Sequence, residues 1–432
     1  MIVEGSALKL IYVVIDGMGD RPVKELNDAT PLAAANTQNL DFLARTGKTG
    51  LMYSVGRGIA PESDVAVISI LGYDPTKYEA SRGVMEAVGA GLDFKDGDLA
   101  LRCNFATLDA KGKIIDRRAG RNLTTEEAKG LSDLVNRNVR LTSHPASFSF
   151  KNTTGHRGVL VIRGQGISLS GNITNTDPAY TRIGGMGVVS VNPKMVLQTC
   201  KPLDETQDAR FSADLVNEFL KKSYLVLEQS RINKKRLSEN KLSANGLLTR
   251  DAGHLRPQFF NINDRYGVNF CCLADMSLEI GIARLLGIDV ISLPSPSGNL
   301  AKDCQLRVEK LLKVLNSYDC FYIHLKGPDE PGHDGDYNLK KEMITTIDKY
   351  FFGELLPKIK LQEFLFCVTA DHATPCKLKA HSDDPVPTLI SGNSINGDGT
   401  LDFSEKACAK GSLGIIEHGY EFMPQLMALL KS

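Results

Sequence analysis

The sequence predicts an α/β protein: a doubly wound, mostly parallel sheet forms a core that is interrupted by a smaller inserted α/β domain. Apolar, β-branched runs without alternation are typical of strands buried on both faces. The chain has three such runs, at Leu10–Ile15, Cys320–Leu325 and Phe364–Thr369. Helical patterns separate them, as βαβ units require. A middle stretch of different character predicts the insertion.

The composition excludes several classes of protein. The 432 residues include 51 Lys and Arg against 51 Asp and Glu, so the formal net charge is zero. Proteins that bind a phosphate backbone usually carry a basic surplus, so no nucleic-acid partner is expected. Hydrophobic residues make up 42% of the chain, which argues against chain-wide disorder. The length suggests two or three domains of about 150 residues each.

Cysteine spacing and apolar run lengths predict a soluble cytoplasmic protein. The nine cysteines are odd in number, irregularly spaced and without a C-x-x-C pair, a pattern typical of reduced thiols. The run Leu10–Ile15 is far shorter than the about 20 residues that span a bilayer. The N-terminus also lacks the basic start and cleavage site of a signal peptide. No membrane partner is therefore expected, and the sequence carries no signal for the oligomeric state.

The insertion is predicted from residue 94 to residue 268, so that residues 1–93 and 269–432 form the core. Strand patterns cover Leu99–Asp109 and His156–Gly164. Between them, Thr124 and Glu127 form a capping-box pattern at the start of a helix. The charged run Arg231–Lys241 is expected to be a solvated helix end or linker rather than a nucleic-acid patch.

The core resumes with a helix and a strand in MSLEIGIARLLGIDVI. The apolar residues of the helix form one stripe, Leu278, Ile282, Leu285 and Leu286. The short strand Ile288–Ile291 follows directly, which is the α-to-β half of a βαβ unit. In open α/β sheets, ligands bind outside the carboxyl ends of the strands. Acidic residues at the strand ends are therefore candidate site residues.

Carboxylates and histidines gather near the ends of the predicted core strands. Six of them are hard or borderline metal ligands: Asp16, Asp329, His333, Asp371, His372 and His381. Mixed carboxylate and imidazole ligands suit Mn²⁺, Zn²⁺, Mg²⁺ or iron, and not Cu(I) or an iron–sulfur cluster. The sequence therefore predicts a site for divalent metal ions.

Two pairs of these residues raise questions of local geometry. Asp329 and His333 have the i,i+4 spacing of one helix face, but the Pro-Gly pair between them disfavours a helix interior, so a loop is expected. Asp371 and His372 are adjacent, and on a regular strand they would point in opposite directions. Either the turn after the strand re-aims one of them, or the two face different metals.

Ser63 stands where the apolar-rich helical stretch Asp64–Leu71 begins, in PESDVAVISILGY. Serine is a favoured N-cap residue, so this position alone indicates only a cap. The free N–H groups of a helix N-terminus also bind phosphate and favour an alkoxide, and a coordinated metal can lower the pKa of a hydroxyl. Because a metal site is predicted independently, Ser63 becomes a candidate nucleophile.

Taken together, these segments resemble a known family. The stretches VVIDGMGDRP, PESDVAVISILGYDP, HRGVLVIRG, KGPDEPGHDGD and TADHATPCKLKAHSDDPVP are similar, in order, to those of the archaeal-type cofactor-independent phosphoglycerate mutases of the alkaline phosphatase superfamily. The metal motifs alone indicate only the superfamily, whereas PESDVA, HRGVLVIRG and HSDDPVP together are more specific. The resemblance implies an alkaline-phosphatase-like core and interconversion of 3- and 2-phosphoglycerate in glycolysis and gluconeogenesis, without 2,3-bisphosphoglycerate.

The resemblance also implies a two-metal site and a phosphoserine intermediate on Ser63. One metal would be held by Asp16, Ser63, Asp371 and His372. The other would be held by Asp329, His333 and His381. Mn²⁺ is the expected ion, although the ligand types alone leave Mg²⁺, Zn²⁺ and Co²⁺ open.

The inserted domain would bind the glycerate part of the substrate. The residues in matching segments are His156, Asp177, Arg182 and Arg250, with Arg284 of the core as a further candidate. Around Arg250 the chain reads LLTRDAG, where relatives more often read LLRGAG. Arginine suits this role because its planar guanidinium can bind a carboxylate bidentately.

Two other interpretations of the sequence predict different functions. A metal-dependent phosphatase or phosphotransferase of the same superfamily would act on another small phosphorylated metabolite, and its product would differ from 2-phosphoglycerate. A non-catalytic regulator would be expected to lack a metal ligand or Ser63, and the sequence lacks neither.

Overall fold

The computed structural model describes residues 8–78, 80–183, 186–190, 193–392 and 395–431, and within them the side chains outside 182–189. Its strands are β1 (Lys9–Ile15), β2 (Gly47–Met52), β3 (Leu99–Leu108), β4 (Ile114–Asp116), β5 (Ala146–Asn152), β6 (Arg157–Gly164), β7 (Tyr180–Ile183), β8 (Met186–Val189), β9 (Gly246–Gly253), β10 (Phe270–Leu273), β11 (Asp289–Val290), β12 (Cys320–Leu325), β13 (Phe364–Thr369), β14 (Val386–Gly392) and β15 (Gly414–Ile416).

The α-helices are also numbered in chain order. They are α1 (Pro31–Ala34), α2 (Gln38–Arg45), α3 (Ser63–Ile70), α4 (Arg82–Gly89), α5 (Thr125–Asn138), α6 (Gln207–Glu228), α7 (Arg231–Ser238), α8 (Ile262–Tyr266), α9 (Ser277–Leu285), α10 (Leu300–Val314), α11 (Asp329–Asp334), α12 (Tyr337–Ile347), α13 (Gly353–Leu355), α14 (Glu405–Cys408) and α15 (Phe422–Lys431).

The chain divides into two compact units. The first unit comprises Met1–Tyr78, Phe259–Asp275 and Ile282–Ser432. The second unit comprises Glu79–Gln258 and Met276–Gly281.

The first unit is built on a mostly parallel sheet. Its strand order is β11-β10-β12-β1-β13-β14-β2-β15. Strand β1 lies between β12 and β13 and is parallel to both, whereas β14 runs antiparallel to its two neighbours. Every residue from Leu10 to Ile15 is fully buried, as the continuous apolar run predicts. The predicted α/β fold with a mostly parallel core sheet is confirmed.

The second unit contains an antiparallel sheet. The strands β4, β3, β6 and β5 are neighbours in that order, and β9 pairs with β3. Helices α5 and α6 contribute to its hydrophobic core, in which the ring centroids of Phe105 and Phe150 are 5.6 Å apart and those of Phe150 and Phe219 are 5.9 Å apart. Helix α5 begins with the predicted capping box of Thr124 and Glu127.

The limits of the two units differ from the predicted boundaries at 93/94 and 268/269. Helix α4 belongs to the second unit because it packs tightly on that unit's sheet: a Cβ atom on Gly83 would lie 2.4 Å from the carbonyl oxygen of Asp251. Residues 259–268 belong to the first unit, where the Tyr73 hydroxyl donates to the carbonyl oxygen of Phe260 at 2.8 Å. These contacts are long-range, and local patterns do not reveal them.

The charged run Arg231–Lys241 corrects another expectation. Its residues Arg231–Ser238 form α7, and the side chain of Arg236 is fully buried instead of solvated. Its Nη1 atom lies 2.7 Å from Oε2 of Glu127, and its Nη2 atom lies 2.6 Å from Oδ1 of Asn122. This guanidinium therefore ties α7 to the start of α5.

The structure describes the cysteines and the lengths of the helices. All nine cysteines are buried, and none of them forms a disulfide bond. Among the described residues, none forms a helix both long enough and apolar enough to span a membrane.

Candidate metal centre and nucleophile

The candidate ligands lie beyond the carboxyl ends of three neighbouring strands. Asp16 directly follows β1, Asp329 follows β12 after a short turn, and Asp371 follows β13. The backbone N–H of Asp16 still donates to the carbonyl oxygen of Leu325, at 2.9 Å. Because β12 and β13 flank β1 in parallel, the three segments meet at one edge of the sheet, as expected for a ligand site.

Small residues allow these three segments to approach each other closely. A Cβ atom on Gly17 would lie 2.7 Å from Cα of Asp329, and one on Gly19 would lie 2.9 Å from Cβ of Ala373. A Cβ atom on Gly332 would lie 2.5 Å from the carbonyl oxygen of Thr374. Contacts this short exclude larger side chains, so the glycines keep the ligand-bearing segments together.

Asp329 and His333 lie on the short helix α11, which corrects the expectation of a loop. Pro331 falls in the first turn, where the missing N–H is not needed. The helix ends at Asp334, and the next residue, Gly335, has a φ of 80°, the left-handed conformation that favours glycine. The i,i+4 spacing therefore does place both side chains on one face, with His333 Nε2 3.5 Å from Asp329 Oδ1.

Two histidines have the hydrogen bonds of metal ligands. His381 Nδ1 lies 2.8 Å from the carbonyl oxygen of Pro61, and His333 Nδ1 lies 3.2 Å from that of Lys379. A carbonyl oxygen only accepts, so Nδ1 is a donor, and Nε2 is the nitrogen that can bind a cation once the ring is neutral. Both Nε2 atoms face Asp329 Oδ1, at 3.4 and 3.5 Å. Burial opposes the charged form of His381, but Asp329 outweighs it and raises the pKa of His381 to about 9.

The turn after β13 directs the side chains of Asp371 and His372 toward the same segment, the one that carries Asp16. His372 Nε2 lies 3.5 Å from Asp16 Oδ1 and 3.4 Å from Asp371 Oδ2. The backbone N–H of Gly17 donates to Asp371 Oδ1 at 3.1 Å. The geometry thus corresponds to a turn that re-aims the pair. Burial, together with the nearby His381 ring, lowers the pKa of His372 to about 3, so the imidazole is neutral at pH 7.

The residues present fit a divalent cation. Among the described residues, Asp16 Oδ1 and Asp371 Oδ2 are buried without a hydrogen-bond partner, which is unfavourable unless a cation or donor approaches them. Burial, then the charge of Asp16, raises the pKa of Asp371 well above its usual range. Lys326 Nζ lies 3.1 Å from Asp16 Oδ2 and offsets part of this negative charge. A bound divalent ion would satisfy both orphaned oxygens.

Ligand atoms converge in three overlapping groups, each with its atoms within 4.8 Å of one another. They are Asp329 with His333 and His381, Asp16 with Asp329 and His372, and Asp16 with His324 and Asp371. All six metal-ligand candidates predicted from strand ends and motifs are therefore brought together. Asp329 belongs to two groups, so the two predicted ligand sets adjoin. His324, which lies on β12, was not predicted because its place inside an apolar run reads as an ordinary core position.

Ser63 joins this cluster. It is the first residue of α3, one residue earlier than the predicted helix, and Glu62 is the N-cap residue. Its Oγ atom lies 3.2 Å from His372 Nε2. The half-buried hydroxyl thus lies both at the N-terminus of an eight-residue helix and beside the candidate metal ligands.

Two further residues in the cluster were not singled out from the sequence. Thr374 Oγ1 donates to Asp329 Oδ1 at 2.7 Å and lies 3.0 Å from His372 Nδ1. Lys326 contacts Asp16, as described above. Both stand in the quoted motifs TADHATP and KGPDEPGHDGD, but threonine and lysine are too common in turns to be recognised there without coordinates.

Two of the predicted substrate-binding residues meet in the second unit. Arg250 Nη1 lies 3.7 Å from Asp177 Oδ2, and its guanidinium lies 3.8 Å from the centre of the Tyr180 ring. Nη1 is buried without a hydrogen-bond partner among the described residues. Asp177 also forms a bidentate pair with Arg117, at 2.9 and 2.5 Å. Arg117 was missed because a single arginine in a loop carries no sequence signal.

The other three predicted residues are placed less completely. Burial, followed by the positive charges of Arg157, Arg121 and Arg250, lowers the pKa of His156 to about 4. Arg182 lies on β7, but its side chain falls outside the described residues. Arg284 is exposed on α9, in the part of that helix that belongs to the first unit.

Comparison with known proteins agrees with the resemblance. The sequence profile of a family described as 2,3-bisphosphoglycerate-independent phosphoglycerate mutase matches residues 44–233. The protein of that name from Aeropyrum pernix is 40% identical over 429 residues, which cover 98% of this chain and all of that protein. The one from Methanobrevibacter smithii is 40% identical over 425 residues, 98% of each chain.

Two solved structures are similar to this chain along nearly its whole length. A cofactor-independent phosphoglycerate mutase from Thermoplasma acidophilum has a TM-score of 0.61 and 32% identity, covering 98% of this chain and all of that one. A protein from Pyrococcus horikoshii has a TM-score of 0.77 and 32% identity, covering 98% of this chain and 97% of that one. From the identity over the whole chain, this protein belongs to the 2,3-bisphosphoglycerate-independent phosphoglycerate mutases.

Proposed function

We propose that this phosphoglycerate mutase passes the phosphoryl group of 3-phosphoglycerate to Ser63 and from Ser63 to the 2-hydroxyl of the same glycerate. The supporting observation is the position of Ser63 Oγ, 3.2 Å from His372 Nε2 at the N-terminus of α3. An enzyme that works without 2,3-bisphosphoglycerate needs a group of its own to hold the phosphoryl group between the two positions. Among the clustered side chains, Ser63 is the hydroxyl placed for that role.

We propose two divalent ions at this centre, with Mn²⁺ as the first choice and Mg²⁺, Zn²⁺ or Co²⁺ as alternatives. The first would be held by Asp16, Ser63, Asp371 and His372, and the second by Asp329, His333 and His381. When bound, such ions neutralise charge on the phosphoryl oxygens and lower the pKa of the serine hydroxyl. The orphaned oxygens of Asp16 and Asp371 and the freed Nε2 atoms of the histidines support this assignment.

The transfer itself requires two in-line displacements. Ser63 Oγ bonds to phosphorus while the bond from phosphorus to the 3-oxygen of glycerate breaks, and that oxygen gains the proton that the serine loses. In the second displacement the 2-hydroxyl bonds to phosphorus, and the serine oxygen is released and protonated. The positive end of the α3 dipole, at Ser63, would stabilise the phosphoserine anion. Water must be excluded meanwhile, or the phosphoserine would hydrolyse.

Binding of the substrate carboxylate is proposed for the second unit. Arg250 is the best supported residue, because Nη1 is buried and lacks a hydrogen-bond partner among the described residues. Asp177 contacts Arg250 and Arg117 and can orient both guanidinium groups. His156, neutral at pH 7, can donate a hydrogen bond without adding charge. Arg182 and Arg284 remain proposed substrate residues from the family resemblance.

The decisive experiment replaces Ser63 by alanine in the full-length chain. Ser69→Ala is a matched control, because Ser69 lies on the same helix and its buried hydroxyl has no hydrogen-bond partner within the described residues. In an enolase-coupled assay, we expect S63A to form no 2-phosphoglycerate. When the reaction is quenched with acid, mass spectrometry of the S63A chain should also lack the added phosphoryl group that the wild type carries. We expect S69A to retain both.

Three outcomes would count against the proposal. Mutase activity close to that of the wild type in folded S63A would exclude Ser63 as nucleophile. Release of free phosphate from 3-phosphoglycerate, without 2-phosphoglycerate, would indicate a phosphatase. A folded wild-type enzyme inactive with Mn²⁺, Mg²⁺, Zn²⁺ and Co²⁺ would indicate a phosphotransferase for another metabolite.

A cytoplasmic location is part of the same proposal. None of the nine buried cysteines forms a disulfide bond, which is typical of a protein from a reducing compartment. A glycolytic substrate is also found there. Cell fractionation with detection of the protein in the soluble fraction tests this location, and recovery with membranes or medium would refute it.

A further inference from the structure

One lysine of the first unit is fully buried next to the candidate metal centre. Lys340 lies on α12, and both its side chain and that of Asp20 have 0% exposure. A buried ammonium is unfavourable unless it is paired and hydrogen-bonded, and it has three hydrogens to donate. Lys340 Nζ has three acceptors: Asp20 Oδ2 at 2.9 Å, the Gly19 carbonyl at 3.0 Å and the Thr374 carbonyl at 2.9 Å.

These acceptors belong to the loops that carry metal-ligand candidates. We use "ligand loops" for the loop after β1 (residues 16–21), the segment of α11 (residues 329–334) and the loop after β13 (residues 370–376). Two acceptors follow Asp16 in the first ligand loop, and Thr374 follows His372 in the third. Helix α12, which carries Lys340, begins shortly after the second. One ammonium therefore contacts two ligand loops directly and is joined through the chain to the other.

The contacts continue from Lys340 to the ligand atoms. The Asp20 carboxylate accepts from the backbone N–H of Cys376, at 3.2 Å from each oxygen, and so joins the first and third ligand loops a second time. Thr374 uses its carbonyl for Lys340, while its hydroxyl donates to Asp329 at 2.7 Å and lies 3.0 Å from His372. Thr374 alone thus connects the Lys340 ammonium to two candidate ligands, Asp329 and His372.

We infer that Lys340 is a positioning residue that holds the ligand loops in register and thereby sets the affinity of the centre for divalent cations. This inference rests on the proposed function, which assigns the cations to these loops. The competing explanation is a buried ion pair that only stabilises the fold. Such a pair would change the free energy of unfolding without changing the cation affinity of the folded protein.

The test compares Mn²⁺ binding by the metal-stripped, full-length wild type, Lys340→Met and Arg307→Met. Arg307 is the matched control, because it is a 5%-exposed cation that pairs with the equally buried Asp275 in the same unit. Arg307 also donates to the Asp303 carbonyl on α10, which likewise lies outside the ligand loops. Free Mn²⁺ is measured by electron paramagnetic resonance during the titration, and circular dichroism reports the fold.

We expect K340M to bind Mn²⁺ about 10- to 100-fold more weakly, the usual loss when a group that orients metal ligands is removed. R307M should stay within about threefold of the wild type, although both variants are destabilised. With Co²⁺ at saturation, K340M should also show an altered visible absorption spectrum, because the geometry of the ligands changes. A purely structural pair would leave that spectrum unchanged.

The outcomes separate this inference from the proposed function. Wild-type Mn²⁺ affinity in folded K340M, or an equal loss in R307M, overturns the inference. If K340M is unfolded, the double variant K340M/D20N, which removes both buried charges, is titrated and should show the same weakening. If the double variant is unfolded too, Lys340 serves the fold as a whole and the inference is wrong. Absence of Mn²⁺ binding by the wild type would instead refute the proposed metal centre.

Discussion

Replacing Gly17 by alanine tests whether close contact between the ligand loops is needed for activity. Gly17 follows Asp16 directly, adopts a φ of +61° and packs against Asp329. Gly58 provides a matched control in the same unit: it has a φ of +74°, is exposed, and a Cβ atom there would meet no heavy atom within 4 Å. Both variants therefore impose a left-handed conformation on alanine, and only G17A adds a steric conflict.

The structure sets the size of the two effects. A left-handed alanine costs about 1–2 kcal/mol, and G58A should lose stability by that amount alone. In G17A the new methyl group would lie 2.7 Å from Cα and Cβ of Asp329, whereas ordinary contact begins at 3.4 Å. One ligand loop must therefore move by roughly 0.7 Å, and overpacking of this kind adds about 1–3 kcal/mol. Misplacement of a catalytic group by about 1 Å can cost about 100-fold in rate.

Urea unfolding and the enolase-coupled assay together measure these effects. We expect G58A to keep its activity while losing a little stability, and G17A to lose more stability and about 100-fold in turnover at saturating Mn²⁺. If G17A matched G58A in both measurements, the loops would be able to separate without consequence. The argument that glycine contacts hold the ligands together would then be wrong.

Three other predictions concern single side chains. Thr374→Val keeps the shape of the side chain and removes the hydroxyl that contacts two candidate ligands, Asp329 and His372. It should weaken Mn²⁺ binding about tenfold or more, and an unchanged titration would contradict this. Arg236→Met should destabilise the second unit by about 3–5 kcal/mol, because it leaves the carboxylate of Glu127 without its buried partner. Urea unfolding measures this loss, and a change below about 1 kcal/mol would show that the ion pair contributes little to stability. Burial raises the pKa of Glu405 to about 7, so the native state keeps a proton that the unfolded chain releases from about pH 4.5. This contribution to stability should therefore be lost as pH rises from about 4.5 through about 7, and Glu405→Gln should remove that pH dependence of unfolding.

The strands that carry the candidate site could be predicted because a short stretch of consecutive residues is enough to indicate their burial. The runs at Cys320–Leu325 and Phe364–Thr369 coincide with β12 and β13. A parallel strand buried on both faces needs an uninterrupted apolar run, and its end is marked by the first charged residue or turn. Proximity of Asp16, Asp329 and Asp371 then followed from the general rule about strand ends rather than from any pattern in the residues themselves.

Features that depend on distant contacts could not be predicted. Helix α11 forms although it contains a Pro-Gly pair, since the proline falls in its first turn and Gly332 lies against Thr374 of another loop. Arg236 is buried in a run of lysines and arginines because Glu127, more than a hundred residues earlier, receives it. Lys340 is likewise a buried cation in a polar stretch of sequence. Its sequence neighbours suggest a solvated helix, and only the fold brings it three acceptors.

The charges of the centre show how a chain with no net charge can attract a multiply charged anion. In the protonation state that binds cations, with carboxylates ionised and histidines neutral, the candidate ligands Asp16, Asp329 and Asp371 together with the ammonium of Lys326 carry a charge of about −2. The buried pair of Lys340 and Asp20 adds nothing to it. Two divalent cations would bring the centre to about +2, which balances the dianion of a phosphate monoester. The attraction is then confined to a site at one edge of the sheet, where burial limits screening by salt. With no net charge on the chain as a whole, substrate selection would depend on these cations and on the few residues proposed to hold them in place.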